Sequence, residues 1–266
     1  MPPLGVPAEI EVYEMYAAGL LDIGTNSHIV VVSWLHLADR NVLQLDGVGP
    51  DNLPFQKGVF AVRSPSRPNP LAISTSKLVG VQGNRLFLDR LDMIDGTQVV
   101  DIKGYTRGGD CIFSARTFWD QVPPSQLKPG RAFEMILSQA ENLHGKRCTG
   151  IVAGAKLVAH VSEHWDVPTR DEELVFAPSL NARDSGCLID AIMGSTGATL
   201  GNGRLAIDSD GSVRAYWRGK SLSYSPRWKA RISPDEAIGL GVNEMFEIAE
   251  KSGVPDVVRQ QGVCKD

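Results

Sequence analysis

The segment Gly58-Val-Phe-Ala-Val-Arg63-Ser-Pro-Ser-Arg67-Pro-Asn-Pro70-Leu-Ala-Ile73-Ser74 decides how the first part of the chain is read. Pro65, Pro68 and Pro70 fix φ at their own positions and push the residue before each out of the helical region, so this stretch runs extended and stiff. It leaves one β-rich run, Gly58 to Val62, and enters another, Leu71 to Leu78. Arg63 and Arg67 are therefore expected on a rigid loop between two strands, where a guanidinium fork suits a carboxylate or a phosphate. A proline-rich turn with two solvated arginines fits the same spacing.

Outward from this loop the pattern is that of short strands. Ala8 to Tyr13 alternates polar and apolar residues, as a half-buried strand does. His28 to His36 carries Ile29, Val30, Val31, Val32 and Trp34, a β-branched and aromatic run suited to a strand covered on both faces. Lys77 to Leu88 places Gly83 between two apolar runs, a hairpin signal, and Gln98 to Ile102 reads as a further strand. With hardly any helical period before Phe118, the first part is expected to be an all-β barrel.

Between Trp119 and Gly130, three prolines and a final glycine neither extend a strand nor start a helix. Beyond them Phe133, Ile136, Leu137 and Ala140 fall at helical spacing. The chain therefore reads as α+β, with an all-β region at 1–119, a linker at 120–130 and a mixed α+β domain at 131–266. In the latter, Ser233-Pro-Asp-Glu236 is a helix start with a capping box, followed by an apolar stripe of Ile238, Val242, Met245 and Ile248 and closed by Gly253 and Pro255. Leu205 to Trp217 reads as a hairpin turning at Asp210-Gly211.

Composition narrows the function classes. The 266 residues suffice for two medium domains. The 27 basic and 31 acidic residues nearly balance, so no long-range positive field draws in nucleic acid; an RNA substrate would need a local patch. The four cysteines, Cys111, Cys148, Cys187 and Cys264, are too sparse and irregular for a disulfide scaffold, and Cys264 sits in the terminal tail. No apolar run is long enough to cross a bilayer and no secretion signal opens the chain, so a cytoplasmic protein is expected.

Three ordered segments carry a family resemblance. Arg63-Ser-Pro-Ser-Arg67-Pro-Asn-Pro70, then Leu91-Asp-Met-Ile-Asp95-Gly-Thr-Gln98-Val-Val-Asp-Ile-Lys103, and the strand Ser27 to His36 resemble the TrmO (TsaA-like) family. That resemblance implies a single-sheeted β-barrel binding S-adenosylmethionine. It also implies methyl transfer to N6-threonylcarbamoyladenosine beside the tRNA anticodon, and a homodimer with its site near the subunit boundary. It further implies that His36, Leu37, Arg63, Ile73, Asp95, Gly96, Thr97 and Gln98 contact the cofactor. Members normally begin with a further strand and a Pro-Arg-Gln segment. The present sequence opens Met1-Pro-Pro-Leu-Gly-Val-Pro7, so an upstream start, closure by a partner, or weakened cofactor binding is expected. No general base stands out; Asp101 and His28 are the available groups, and a small-molecule methyl acceptor is open beside tRNA.

In the second half His144, Cys148 and Cys187 supply three ligands of the kind that bind zinc tetrahedrally, with the fourth position left to water or substrate. Cys187 also reads as a small buried apolar residue near a helix start. These segments, with Thr196 to Leu205, resemble the FmdE family, named from a subunit of formylmethanofuran dehydrogenase. Lys146, Thr149 and Ala198 stand where its members usually carry a second histidine, the proline of a Cys-Pro-Gly turn and a cysteine, which implies that the metal or thiol chemistry of the family is weakened or lost. The alternative function is then a non-catalytic metal- or ligand-binding accessory protein of one-carbon or molybdoenzyme metabolism. His160 and His164, one helical turn apart, match a chelating pair and equally a solvated helix face.

Overall fold

The computed structural model describes residues 5–48, 54–127, 129–228 and 232–252. It divides into two compact units, the first ending at Ile112 and the second starting at Phe113. The expected helix end at Gly253 and Pro255, and Cys264, lie outside the described residues.

In the first unit β1 (Val6–Glu11), β2 (His28–Trp34), β5 (Leu71–Gln82), β6 (Arg85–Leu91) and β7 (Gln98–Gly104) form one antiparallel sheet in the order β1-β6-β5-β2-β7. β3 (Gln44–Val48) and β4 (Pro54–Gly58) pair as a separate ribbon. Alternation in β2 explains its central place: Ile29, Val31 and Ser33 are fully buried, while Val30, Val32 and Trp34 on the other face are half-buried. Ile29 and Val31 pack with Ile10, Leu86, Leu88 and Leu91 into the core of this unit. The hairpin expected at Gly83 joins β5 to β6. The antiparallel sheet expected of this part is present, with the β3–β4 ribbon apart from it, and among the described residues no hydrogen-bonded pairing links the end strands β1 and β7.

Gly58 to Val62, expected as a strand, is instead the last residue of β4 followed by a short 3-10 turn over Val59–Ala61. Val59 is fully buried and its N–H donates to Leu43 O at 3.0 Å, which bends the chain away from the ribbon before the prolines begin.

After α1 (Arg107–Asp110), a single turn at the end of the first unit, the second unit has α2 (Arg131–His144), α3 (Thr149–Trp165) and α4 (Ser185–Thr196), packed with a four-stranded antiparallel sheet. Its strands, β8 (Val175–Pro178), β9 (Val213–Trp217), β10 (Lys220–Pro226) and β11 (Phe246–Ser252), lie in the order β11-β10-β9-β8. α3 is the hub: Ile151, Val152, Leu157, Val158 and Val161 are all fully buried, each such side chain contributing about 1.5–3 kcal/mol by transfer from water. Residues 113–127 also belong here. Val122 is buried, Arg170 Nη1 donates to the carbonyls of Phe113 and Ala115, and Asp166 accepts from Ser125 N and Oγ at 3.0 and 2.8 Å.

Two expectations are corrected. The hairpin turn is not Asp210-Gly211: Leu205 bridges Phe176 of β8 and Asp208 bridges Ser179 just beyond it, both in parallel, and the tight turn is Arg218-Gly219, both with positive φ, joining β9 to β10. The helix opened by Ser233 is also short. α5 (Pro234–Gly239) stops at Leu240, α6 (Val242–Met245) adds one turn, and Phe246 onward pairs residue for residue with β10. The stripe Ile238, Val242, Met245 and Ile248 is thus split between helix and strand.

The capping box is present. Ser233 Oγ accepts from Glu236 N at 3.2 Å, and Glu236 Oε2 accepts from Ser233 N at 2.6 Å. Ser233→Ala is expected to cost about 1 kcal/mol in thermal unfolding at neutral pH. The backbone N–H of Ser233 holds the Glu236 carboxyl below its ordinary value. A depressed folded-state pKa gives stabilisation that is present above the unfolded value and lost as pH falls through the folded one. Glu236→Gln should therefore reduce the acid sensitivity of unfolding below about pH 4.

Candidate cofactor site and metal centre

In the first unit, Trp34 at the end of β2 lies opposite Leu71 of β5 on one side and Gln98 of β7 on the other. Val32 lies opposite Ile73, two residues further along β5. The strand end is fastened to the proline loop by Leu35 N donating to Pro70 O at 2.8 Å, and His36 and Leu37 follow directly, both exposed. Asp95, Gly96 and Thr97 form the turn that delivers Gln98. Gly96 has φ of 78°, and Thr97 donates to Ile94 O through N at 3.2 Å and Oγ1 at 2.7 Å. A side chain at Gly96 would meet nothing within 4 Å, so the turn faces open space.

The two loop arginines divide their work. Arg67 Nη2 donates to the carbonyls of both Val59 and Val62, so this guanidinium is a brace of the loop. Arg63 is exposed, with Nη1 3.5 Å from Ile73 O, its fork otherwise turned to solvent. Arg40, which sequence reasoning passed over, donates from Nε to Pro68 O at 3.0 Å and lies 5.5 Å from the Trp34 ring centre in a cation–π contact. Ile73 keeps 56% of its surface exposed and Leu37 75%, leaving an apolar patch beside a cation. Of the two groups considered as bases, Asp101 is bonded to Lys103 at 2.7 Å, which lowers its pKa, and His28 Nδ1 shares a 3.0 Å bond with Ser27 Oγ.

In the second unit His144, Cys148 and Cys187 do converge, their ligand atoms all within 4.8 Å of one another. His144 ends α2, Cys148 is the residue before α3, and Cys187 lies in the first turn of α4. His144 Nε2 is 3.6 Å from Cys148 Sγ and 3.8 Å from Cys187 Sγ. Asp190, absent from the sequence reading, takes the other nitrogen: Oδ2 is 2.8 Å from Nδ1. A carboxylate on Nδ1 fixes the ring and leaves Nε2 as the lone pair, the usual support of a metal-bound histidine. Its signal in the sequence was its place one helical turn after Cys187.

The helices approach closely at this point. A Cβ on Gly150 would lie 2.6 Å from Cys187 Cβ and 2.9 Å from Asp184 Cβ, so only glycine lets α3 pass beside the thiol. Burial and the neighbouring Cys148 push the Cys187 thiol up to about 11. Of the residues at which this chain departs from the family pattern, Thr149 turns its hydroxyl to Ile232 O at 2.6 Å, and Ala198 is buried after α4, beyond its far end from Cys187.

Comparison with known proteins bears on both units. Residues 4–111 match the tRNA-methyltransferase O N-terminal domain. An S-adenosyl-L-methionine-binding protein of Archaeoglobus fulgidus is 40% identical over 105 residues, covering 40% of this chain and 73% of that protein. The chain belongs to the TrmO family. A second A. fulgidus relative, a probable S-adenosyl-L-methionine-binding protein, is 34% identical over 202 residues, 74% of this chain. The chain spans about half the length of that relative, 52%. Residues 143–230 match the family described as FmdE, molybdenum formylmethanofuran dehydrogenase operon. Among solved structures, TrmO from Pseudomonas aeruginosa is 17% identical with a TM-score of 0.33, covering 83% of this chain and 79% of that one. Family membership rests on the sequence matches. Among the described residues no helix is long and apolar enough to cross a membrane.

Proposed function

We propose that this protein binds S-adenosylmethionine at the end of the first unit's sheet and transfers its methyl group to the N6 side of threonylcarbamoyladenosine in tRNA, acting as a homodimer. The observation that carries the reading is the register: Trp34 flanked by Leu71 and Gln98, with Arg63 held against Ile73. The names of the A. fulgidus relatives give it support.

The residues present fit the ligand. Arg63 offers a free guanidinium fork for the cofactor carboxylate. Ile73 and Leu37 offer apolar surface to its adenine, and the open Asp95-Gly96 turn offers backbone and carboxylate partners for its polar groups. The sulfonium supplies an activated methyl carbon, so no covalent enzyme nucleophile is required. What the chain contributes is alignment of an acceptor nitrogen with that carbon and exclusion of water. With the methyl carbon so supplied, the chain would need only to hold the acceptor nitrogen in line with it and to give that nitrogen's proton a way out to solvent or to a base. Asp101, tied to Lys103, is a poor candidate for that base.

We assign zinc to His144, Cys148 and Cys187, with Asp190 orienting the histidine. When bound, such an ion supplies Lewis acidity or structural closure at the meeting point of α2, α3 and α4. The convergence of these ligands also supports a second reading, in which the second unit is the working part of an accessory protein in one-carbon or molybdoenzyme metabolism.

Calorimetry with S-adenosylmethionine separates the two. Binding by folded protein, with transfer of labelled methyl to total tRNA, is the expected result. Label entering a small-molecule pool would reassign the acceptor, and absence of binding would leave the accessory reading.

A further inference from the structure

α3 carries a second set of metal-ligand side chains, remote in sequence from His144, Cys148 and Cys187 and independent of the functional reading above. His160-Val-Ser-Glu163-His164 puts two imidazoles one helical turn apart with a glutamate one place before the second. This His-x-x-Glu-His order is found in one class of zinc sites. The two rings lie side by side, centroids 5.7 Å apart and planes 22° from parallel. His164 Nε2 meets Glu250 Oε1 of β11 at 3.5 Å.

Each ring has a different freedom. His160 Nδ1 is 2.7 Å from Tyr224 Oη, and Tyr224 is fully buried, so the ring is held and Nε2 is the nitrogen left over. His164 is exposed and meets the exposed carboxylate of Glu250, so its ring can turn from the stack to share an ion with His160.

We infer that His160, His164 and Glu250 form a second site, for a borderline divalent cation of the Zn2+, Ni2+ or Cu2+ class. Two imidazoles and one carboxylate suit these ions over Ca2+ or Mg2+, which take oxygen ligands. Binding selects the His160 tautomer whose Nδ1–H donates to Tyr224 Oη, a buried phenol oxygen taking the outer-shell place that a carboxylate takes at His144.

The test uses the metal-free full chain, without a polyhistidine tag, titrated with Co2+ followed by absorption and with Zn2+ followed by calorimetry. The expected result is an equivalent that brings ligand-field bands without thiolate-to-cobalt charge transfer. The double substitution His164→Ala, Glu250→Gln, at two exposed positions, should weaken that equivalent at least tenfold and leave any thiolate band unchanged. His160→Asn should weaken it likewise. Absence of any equivalent free of thiolate absorption, or one unmoved by these substitutions in folded protein, would overturn the proposal.

Discussion

Zinc should bind the Cys187→Ser variant at least about a hundredfold more weakly than it binds the parent chain. The change removes a soft thiolate from a set of three and leaves a hydroxyl, a poor ligand for this ion. Asp190→Asn removes no ligand but releases His144 Nδ1 from its 2.8 Å partner, and about 10- to 100-fold is expected there. The order of the two effects is itself informative, because a purely structural cluster gives no reason for either. Cys187, with its thiol near 11, is protonated at neutral pH, and zinc takes the thiolate. Binding must then release that proton, so apparent affinity should rise with pH across the neutral range. Competition against a chromophoric chelator at several pH values measures all three quantities. Affinity for zinc that Cys187→Ser leaves intact would remove the thiol from the site.

The convergence of these ligands is a matter of helix ends, which explains how much of it the sequence could show. His144, Cys148 and Cys187 are legible as residue types, and His144 and Cys148 are close in sequence. That Cys187 meets them depends on α3 passing α4 at van der Waals distance. Gly150 and Gly154 permit it, since a Cβ at Gly154 would lie 2.5 Å from Ala191 Cβ. A pair of glycines four apart on a helix is a signal of close packing, but it does not name the partner. Asp190 was missed for the same reason: its role exists only once α2 and α4 lie side by side.

The fold was legible where one local pattern had no competitor. β2, the β5–β6 hairpin, α2 and the Ser233 cap lie where alternation, a glycine turn, helical spacing and a capping box put them. It was misread where two periods overlap. Ile238, Val242, Met245 and Ile248 satisfy a helical stripe, yet Phe246 to Ser252 completes seven paired positions along β10, and the ladder outweighs a weak local preference. Asp210-Gly211 has the stronger turn composition, but Phe176 takes Leu205 as a parallel neighbour, and the two-residue turn falls to Arg218-Gly219.

The proline loop shows the same division between composition and geometry, and gives the other large expected effect. Arg63 and Arg67 are four residues apart on one stiff segment and equivalent by sequence. In the folded chain Arg67 serves the carbonyls of Val59 and Val62, and Arg63 keeps its fork in solvent. Arg63→Ala should therefore weaken S-adenosylmethionine binding about 10- to 100-fold, the loss of a charge-assisted contact of about 1.5–3 kcal/mol, with stability changed by no more than about 0.5 kcal/mol. Arg67→Ala should do the reverse first. It strands two carbonyls beside the fully buried Val59, costing about 1–3 kcal/mol of stability, and weakens cofactor binding only as the loop loosens. Thermal unfolding and calorimetry on both variants separate these outcomes. An Arg63→Ala protein that melts early yet binds the cofactor as tightly as the parent would make Arg63 a structural residue and move the carboxylate contact elsewhere on the sheet end.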